Sequence, residues 1–408
     1  MCYLNDTNKP RKILILTDEP FPIGLAGTTR ILSYCKGFLH YGYQPEVFCI
    51  RPTEYYNNVL NKSVKGTFND VKYAYPGGTT IRVASFWERR KNDLFAKYAA
   101  IRLLYKNLKK GEVLFIIFYG NCISFELSSI FFSKLFKIRI YKEENEHPAT
   151  FFQGSTIFFT FLKKWFIINK LYLYYSGIFV MTKPLRDFFL TKGLPDRKIL
   201  VVPHTIEQEK FEIGIYNSKM SLPNDYIAYL GPLNQQKDGV LTLVESFTRV
   251  AAQYPEMHLI IAGVGTQQEK NELSSLITQL HLAERVHYLG HISSNEIPAF
   301  FHGAKLLVSC RRKSFQNEYS FPTKVVEYLA TGKPTVTTAP GDLAFYLNDR
   351  VNAFVADMDD ANTVASKMLE ALQDYDFALK VAQNGKKLVK DNFNPIKQVK
   401  KIIDFCKE

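Results

Sequence analysis

The chain has 408 residues, too many for one ordinary core and enough for two domains. Its 46% apolar and 22% charged content excludes a disordered chain, and six scattered cysteines with no CxxC pair exclude a disulfide framework or a zinc ribbon. The 52 basic against 39 acidic residues leave +13, which favours an anionic partner: nucleic acid, an acidic lipid surface, or a nucleotide and its phosphates.

The opening MCYLNDTNKPRK lacks the continuous apolar run of a signal peptide, so a cytoplasmic protein is expected. ILILT (13–17) reads as a buried strand. It runs into DEPFPIGLAGTTRI, where Gly24 and Gly27 precede a helix beginning near Thr28, so backbone N–H groups at the helix start can receive an anion. The loop matches neither GxGxxG nor the Walker A pattern. PEVFCI (45–50) is the next strand. Residues 86–110 carry Arg89, Arg90, Lys91, Lys97, Arg102, Lys106, Lys109 and Lys110 against Glu88 and Asp93, with apolar positions between them at helical spacing. This predicts a basic amphipathic helix, either a solvated face or one that binds an anionic membrane surface.

VLFIIFY (113–119) and RIYKE (139–143) are strands, and the second ends in EENEHP (143–148), a cluster of Glu143, Glu144, Glu146 and His147. Glu146 and His147 are candidates for acid–base or hydroxyl-binding work, a hydrophilic loop being the alternative. The aromatic segment 151–180 is interrupted by Lys163, Lys164 and Lys170, too often to span a bilayer but compatible with lying against one. GIFVMT (177–182) and ILVVP (199–203) complete the first half, and the polar stretch 205–224 is the expected linker.

In the second half, YIAYLG (226–231) leads into PLNQQKDG, with Lys237 expected at the start of the next helix, where its charge adds to the helix's own N-terminal field. HLIIAG (258–263) is followed by VG, so that Gly263 and Gly265 permit close approach to the backbone. VHYLG (286–290) is next, then AKLLVSC (304–310), followed by Arg311, Arg312 and Lys313. FPTKVVEYLATGKPTV (321–336) predicts a short helix between Pro322 and Gly332 and a strand after Pro334. Thr323, Lys324 and Glu327 share one face of it, where Glu327 is either a solvated partner of Lys324 or a ligand contact. Strand-like runs alternating with helices predict parallel, doubly wound sheets, whose ligands sit beyond the carboxyl ends of the strands.

FPIGLAGTTRI, YLGPLNQQKDGV, LIIAGVG, VHYLGHISSNEIPAFFHGAKLLVS, FPTKVVEYLATGKPTV and RVNAFVADMDDANTVASKML stand in an order and spacing that resembles the retaining glycosyltransferases of the GT-B fold, family four or group 1. The resemblance implies an α/β protein with two Rossmann-like domains facing a cleft. They would be an acceptor domain over 1–204 and a nucleotide-sugar domain over 225–393, with a last helix (394–408) returning to the first. It implies a nucleotide-sugar donor, a saccharide or lipid-linked saccharide acceptor, a role in cell-surface glycan synthesis, no cofactor, no metal and no nucleic acid. Lys237 and Arg311 would hold the diphosphate with the helix start at Thr323 and Lys324, Glu327 the ribose hydroxyls, and Gly27 would approach the phosphates. Asp357-Met-Asp359 falls where the family has a strand-to-helix turn, so Asp359 or Asp360 is expected to cap a helix.

Three positions depart from the family pattern: Tyr319 stands in place of the first of two glutamates, Pro232 in place of an arginine, and Ala353 in place of a glycine. Arg311 is the expected substitute for the missing arginine. A nucleotide-sugar epimerase on the same fold and a non-catalytic accessory subunit are the competing readings.

Overall fold

The computed structural model describes residues 11–56, 59–149, 165–211 and 220–407. The chain divides into two compact units, one of residues 1–205 with 395–408 and the other of residues 206–394. Both are α/β with mainly parallel sheets, as expected.

The first unit holds β1 (Lys12–Thr17), β2 (Gln44–Cys49), β3 (Glu54–Tyr55), β4 (Lys65–Phe68), β5 (Val71–Ala74), β6 (Ile81–Arg82), β7 (Val113–Tyr119), β8 (Arg139–Glu144), β9 (Gly177–Val180) and β10 (Ile199–Val201). Eight of them form one sheet in the order β10-β9-β8-β7-β1-β2-β5-β4, while β3 and β6 pair separately. Ile13, Leu14, Ile15 and Leu16 of β1 are all buried, the unbroken apolar run of a strand covered on both faces. The β4–β5 hairpin is antiparallel and was not legible as strands. Its turn residues Asn69 and Asp70 both have positive φ, the geometry of a tight hairpin turn, but KGTF has no apolar alternation to announce it.

Helix Pro395–Lys407 belongs to this unit. It lies so close to helix Ala26–His40 that a Cβ on Gly37 would sit 2.5 Å from Val399 Cγ2. Val399, Ile402, Ile403 and Cys406 are buried there, and Arg139 donates to the Cys406 carbonyl at 2.7 Å.

The second unit holds β11 (Tyr226–Leu230), β12 (His258–Ala262), β13 (Val286–Gly290), β14 (Leu306–Ser309), β15 (Thr335–Thr338) and β16 (Phe354–Ala356). They form an all-parallel sheet in the order β13-β12-β11-β14-β15-β16. Alternate residues serve opposite layers: Ile227 and Tyr229 face one core, Tyr226 and Ala228 the other. From Ile206 on, the described part of the expected linker is packed into this unit. Ile206 N–H donates to the Phe393 carbonyl at 2.9 Å, Phe211 stacks on Phe301, and Met220 and Leu222 pack on the layer around Tyr226. Residues 212–219 and 150–164 lie outside the described residues, and with them part of the linker and most of the aromatic segment.

Candidate functional site

In the second sheet the strand order reverses beside β11: β12 and β13 lie on one side of it, β14 to β16 on the other. Ligands of doubly wound sheets bind at such a switch point, beyond the carboxyl ends of the two strands. The residues that follow β11, β12 and β14 converge there.

Two glycines bring the first loops together. A Cβ on Gly263, whose φ is +139°, would lie 1.8 Å from the Gly231 carbonyl oxygen, so no other residue fits. A Cβ on Gly231 would lie 2.2 Å from Lys324 Nζ and 2.8 Å from the Tyr229 hydroxyl. The ammonium of Lys324 thus occupies the space over the bare backbone at the end of β11. Gly265 is needed for packing, since its Cβ would meet Leu233 at 2.8 Å.

Lys324 is the second residue of helix Thr323–Thr331, which Tyr328 pins to β11 by accepting a 2.9 Å bond from Leu230 N–H. Its ammonium donates to Asp238 Oδ1 at 2.6 Å and to the Tyr229 hydroxyl at 3.0 Å. The pair is largely out of water, with side-chain exposures of 14% for Lys324 and 4% for Asp238. Burial pushes the Lys324 pKa down; Asp238 opposes this, and the charges of Arg311 and Lys237 add to the fall. Three cations foreseen in the sequence, Lys237, Arg311 and Lys324, are therefore close enough to feel one another.

The arrangement corrects the expected role of one of them, Arg311. Lys237 stands at the start of the next helix, as the third residue of the short helix Gln235–Asp238, which Asn234 caps by accepting from Lys237 N–H at 2.7 Å. The long helix begins at Val240. Arg311 is only 3% exposed and donates to Asn317 Oδ1 and, at 3.1 Å, to Ser320 Oγ. It braces the short helix Phe315–Tyr319, and the cation lying at the end of β11 is Lys324.

Asn317, fully buried, joins the pieces: its amide also donates to the carbonyls of Lys237 at 2.8 Å and Arg312 at 2.7 Å. Arg312 itself pairs with Asp359 at 2.6 Å. Asp360, not Asp359, caps helix Ala361–Gln373, accepting from Asn362 N–H at 2.8 Å.

Glu327 lies one turn beyond Lys324, half-buried, and makes no hydrogen bond or ion pair among the described residues. Burial pushes its pKa up to about 7 in spite of the opposing pull of Lys324. The solvated Lys324–Glu327 pair is thereby ruled out as the explanation of this carboxylate, because Lys324 is bound to Asp238. Thr323 is the first residue of the same helix, with Pro322 before it. Asp238, Tyr229 and Asn317 were not singled out from the sequence.

The remaining candidates belong to the first unit. The neighbour that leaves no room at Gly27 is the Glu19 carboxyl, 2.8 Å from a notional Cβ. Burial raises the pKa of Glu19, with Asp18 adding to the effect. Glu146 is half-buried after β8. His147 is buried, its Nδ1 accepts from Ala149 N–H at 3.1 Å, and its ring lies 4.1 Å from that of Phe188. The two acids before them are structural: Glu143 accepts from Arg30 at 2.6 Å inside the core, and Glu144 accepts from Tyr172 at 2.7 Å.

Residues 217–388 match the family Glycosyl transferases group 1. A mannosylfructose-phosphate synthase of Agrobacterium fabrum is 23% identical over 242 residues, 56% of this chain and 51% of that protein. An uncharacterized glycosyltransferase of Methanocaldococcus jannaschii is 26% identical over 280 residues, 63% of this chain and 64% of that one. The chain thus spans roughly half to two thirds of the length of these curated relatives.

Among solved structures, a sucrose-phosphate synthase from Thermosynechococcus elongatus superposes with a TM-score of 0.71 at 15% identity, covering 97% of this chain and 98% of the other. Anabaena HepE in complex with UDP and glucose does so with a TM-score of 0.66 at 15% identity, covering 97% and 98%. Residues 217–388 are thus similar to the glycosyl transferases of group 1, and the two α/β units have the GT-B fold.

Proposed function

We propose that the protein is a retaining glycosyltransferase that moves a sugar from a nucleotide-sugar to a saccharide or lipid-linked saccharide. The role would be in cell-surface glycan synthesis, at the cytoplasmic side of an anionic membrane. The observation that carries the donor half is the gathering of Lys324, Lys237 and the solitary Glu327 at the switch point of the second sheet. The UDP and UDP-glucose complexes of the Anabaena relative support a nucleoside diphosphate as the leaving group.

Breaking the bond between the diphosphate and the anomeric carbon places negative charge on the departing oxygen. Cations held in a water-poor site stabilise that charge without reorganising. Lys324, fixed by Asp238 and Tyr229, is the pre-oriented member of the set, and Lys237 is its second cation. Glu327, when ionised, would accept from the ribose hydroxyls. No side chain of the second unit is assigned as a nucleophile; the departing phosphate oxygen would take the acceptor proton on the same face. Glu146 and His147 are the candidates for meeting the acceptor hydroxyl. No metal is required by this scheme.

Incubation with a panel of nucleotide-sugars, following nucleotide release with and without membrane extract, tests it. Release that depends on extract supports a lipid-linked acceptor. Absence of both release and donor binding would instead support the accessory-subunit reading.

A further inference from the structure

The surface of the first unit carries a feature that the transfer chemistry does not use. Helix Phe86–Lys109 buries Ala96, Ala100, Leu104 and Leu108 and carries a second, exposed apolar line: Trp87, Leu94, Tyr98 and Tyr105 are 74%, 67%, 64% and 40% exposed. Their spacings of seven, four and seven residues place all four within about 20° of one line along a 3.6-residue helix. Lys91, Arg102, Lys106 and Lys109 are exposed and fall on one flank of that line. None of the four makes an ion pair among the described residues.

The stripe continues onto a neighbour. Tyr105 meets Phe132 and Phe136 edge-on at 5.9 and 5.5 Å, and Phe132 meets Phe131 at 5.3 Å. Leu127, Phe131 and Leu135, spaced by four on helix Ile123–Leu135, are themselves 42%, 62% and 59% exposed. An apolar row of this length, spread over two packed helices and bordered by unpaired bases, is too large to be the scattered exposure normal in a soluble surface.

We propose that this face docks on an anionic lipid bilayer, with Trp87, Leu94 and Tyr98 entering the headgroup boundary and Lys91, Arg102, Lys106 and Lys109 binding lipid phosphates. The charge decides between occupants. An apolar protein partner would leave eight basic residues of the 86–110 segment, set against only Glu88 and Asp93, without counter-charge. A second copy would bring the same bases face to face. An acidic bilayer surface satisfies the bases and the aromatic row together, because interfacial helices combine Lys and Arg with buried Trp, Phe and Leu. The docking bears on the lipid-linked acceptor but does not depend on transfer activity.

The test uses the full chain and sedimentation with vesicles of phosphatidylcholine alone or mixed with phosphatidylglycerol. Trp165→Phe makes Trp87 the remaining tryptophan, so its fluorescence reports insertion. The expected result is binding to the mixed vesicles with a blue shift of Trp87, and little binding to the neutral ones. Lys91→Gln, Arg102→Gln and Lys106→Gln together should weaken binding roughly 100-fold, at about fivefold per base. Trp87→Ser with Leu94→Ser should abolish the anionic binding at 0.15 M salt while leaving the thermal midpoint and nucleotide release with a soluble acceptor unchanged.

Equal binding to both vesicles, or binding that survives both sets of substitutions, overturns the proposal. Retention on immobilised polyglutamate without vesicle binding would reassign the face to an acidic protein. A dimer broken by Trp87→Ser, again without vesicle binding, would reassign it to a second copy. If vesicle binding is as expected and no nucleotide is released, the docking stands and the transferase reading falls.

Discussion

Lys324→Met separates the two things that the Lys324–Asp238 pair can be, a structural clasp or a donor-site cation held in place. At 2.6 Å the Coulomb attraction is roughly 6 kcal/mol with an effective dielectric of about 20, and desolvation of two nearly buried charges takes back most of it. What a single substitution reveals is the cost of leaving Asp238 charged, buried and alone, about 3 to 5 kcal/mol. In a unit of the size of residues 206–394 that lowers the thermal midpoint by roughly 10 °C.

Transfer should fall about 100- to 1,000-fold, the loss usual when one group aimed at the developing charge is removed. The decisive protein is Lys324→Met with Asp238→Asn. With both charges gone the stability should return to within about 1 kcal/mol of the parent, because no unpaired ion remains. The activity should not return. Paired measurements of thermal midpoint and nucleotide release on the parent, the two single variants and the double variant complete the cycle. If release recovers together with stability in the double variant, Lys324 is a clasp and its catalytic assignment is wrong.

Glu327, at about pKa 7, gives the donor affinity a pH dependence: the ionised fraction falls from about nine tenths at pH 8 to about one tenth at pH 6, so the dissociation constant should rise roughly tenfold. Glu327→Gln should flatten that profile in a calorimetric titration, and an unchanged slope would remove the ribose assignment. The stability linkage has the opposite sense: because burial raises this pKa, the contribution of Glu327 is full below pH 4.5 and is lost as pH rises through about 7. Glu144 in the first unit is pushed up to about 7 as well and keeps a slope of the same sign, so binding is the cleaner readout. Gly263→Ala, with its Cβ 1.8 Å from the Gly231 carbonyl and φ at +139°, should cost more than about 3 kcal/mol; a thermal midpoint within 2 °C of the parent, roughly the resolution of the comparison, would refute the packing argument. Arg311→Gln should cost about 2 kcal/mol through the lost bonds to Asn317 and Ser320, lowering the midpoint by roughly 4 to 8 °C. Lys237→Ala should do the reverse, abolishing transfer with the midpoint nearly unchanged, and retained activity would sink its role in the diphosphate clamp.

The sheets were legible because buried parallel strands must be continuous apolar runs, and ILILT, VLFIIFY and HLIIAG allow little else. The glycines were legible for a related reason: after a strand of a doubly wound sheet they mark close approach, as Gly263 does. Partnership across the fold was not legible. Neighbours on a helix suggested that Lys324 served Glu327, whereas its partner is Asp238, 86 positions away and brought close only by the sheet order. Arg311 was chosen for standing at a strand end, but a strand end fixes the backbone and not the direction of a long side chain. The buried Asn317 amide draws its guanidinium inward, and nothing in SFQNEYS reveals that Asn317 is the residue out of water.

Helix Pro395–Lys407 has a consequence for the order in which the chain matures. The first unit is interrupted, since roughly 190 residues of the second are made before the segment that covers Gly37 and the groove around it. At roughly 5 to 20 residues per second the ribosome needs roughly 10 to 40 seconds for that stretch. Through this interval the nascent first unit carries an open apolar trough along helix Ala26–His40, while the second unit, contiguous in sequence, can close on its own. The part of the protein begun first is therefore the part finished last, and chaperones that recognise unclosed apolar surface should engage the first unit rather than the second.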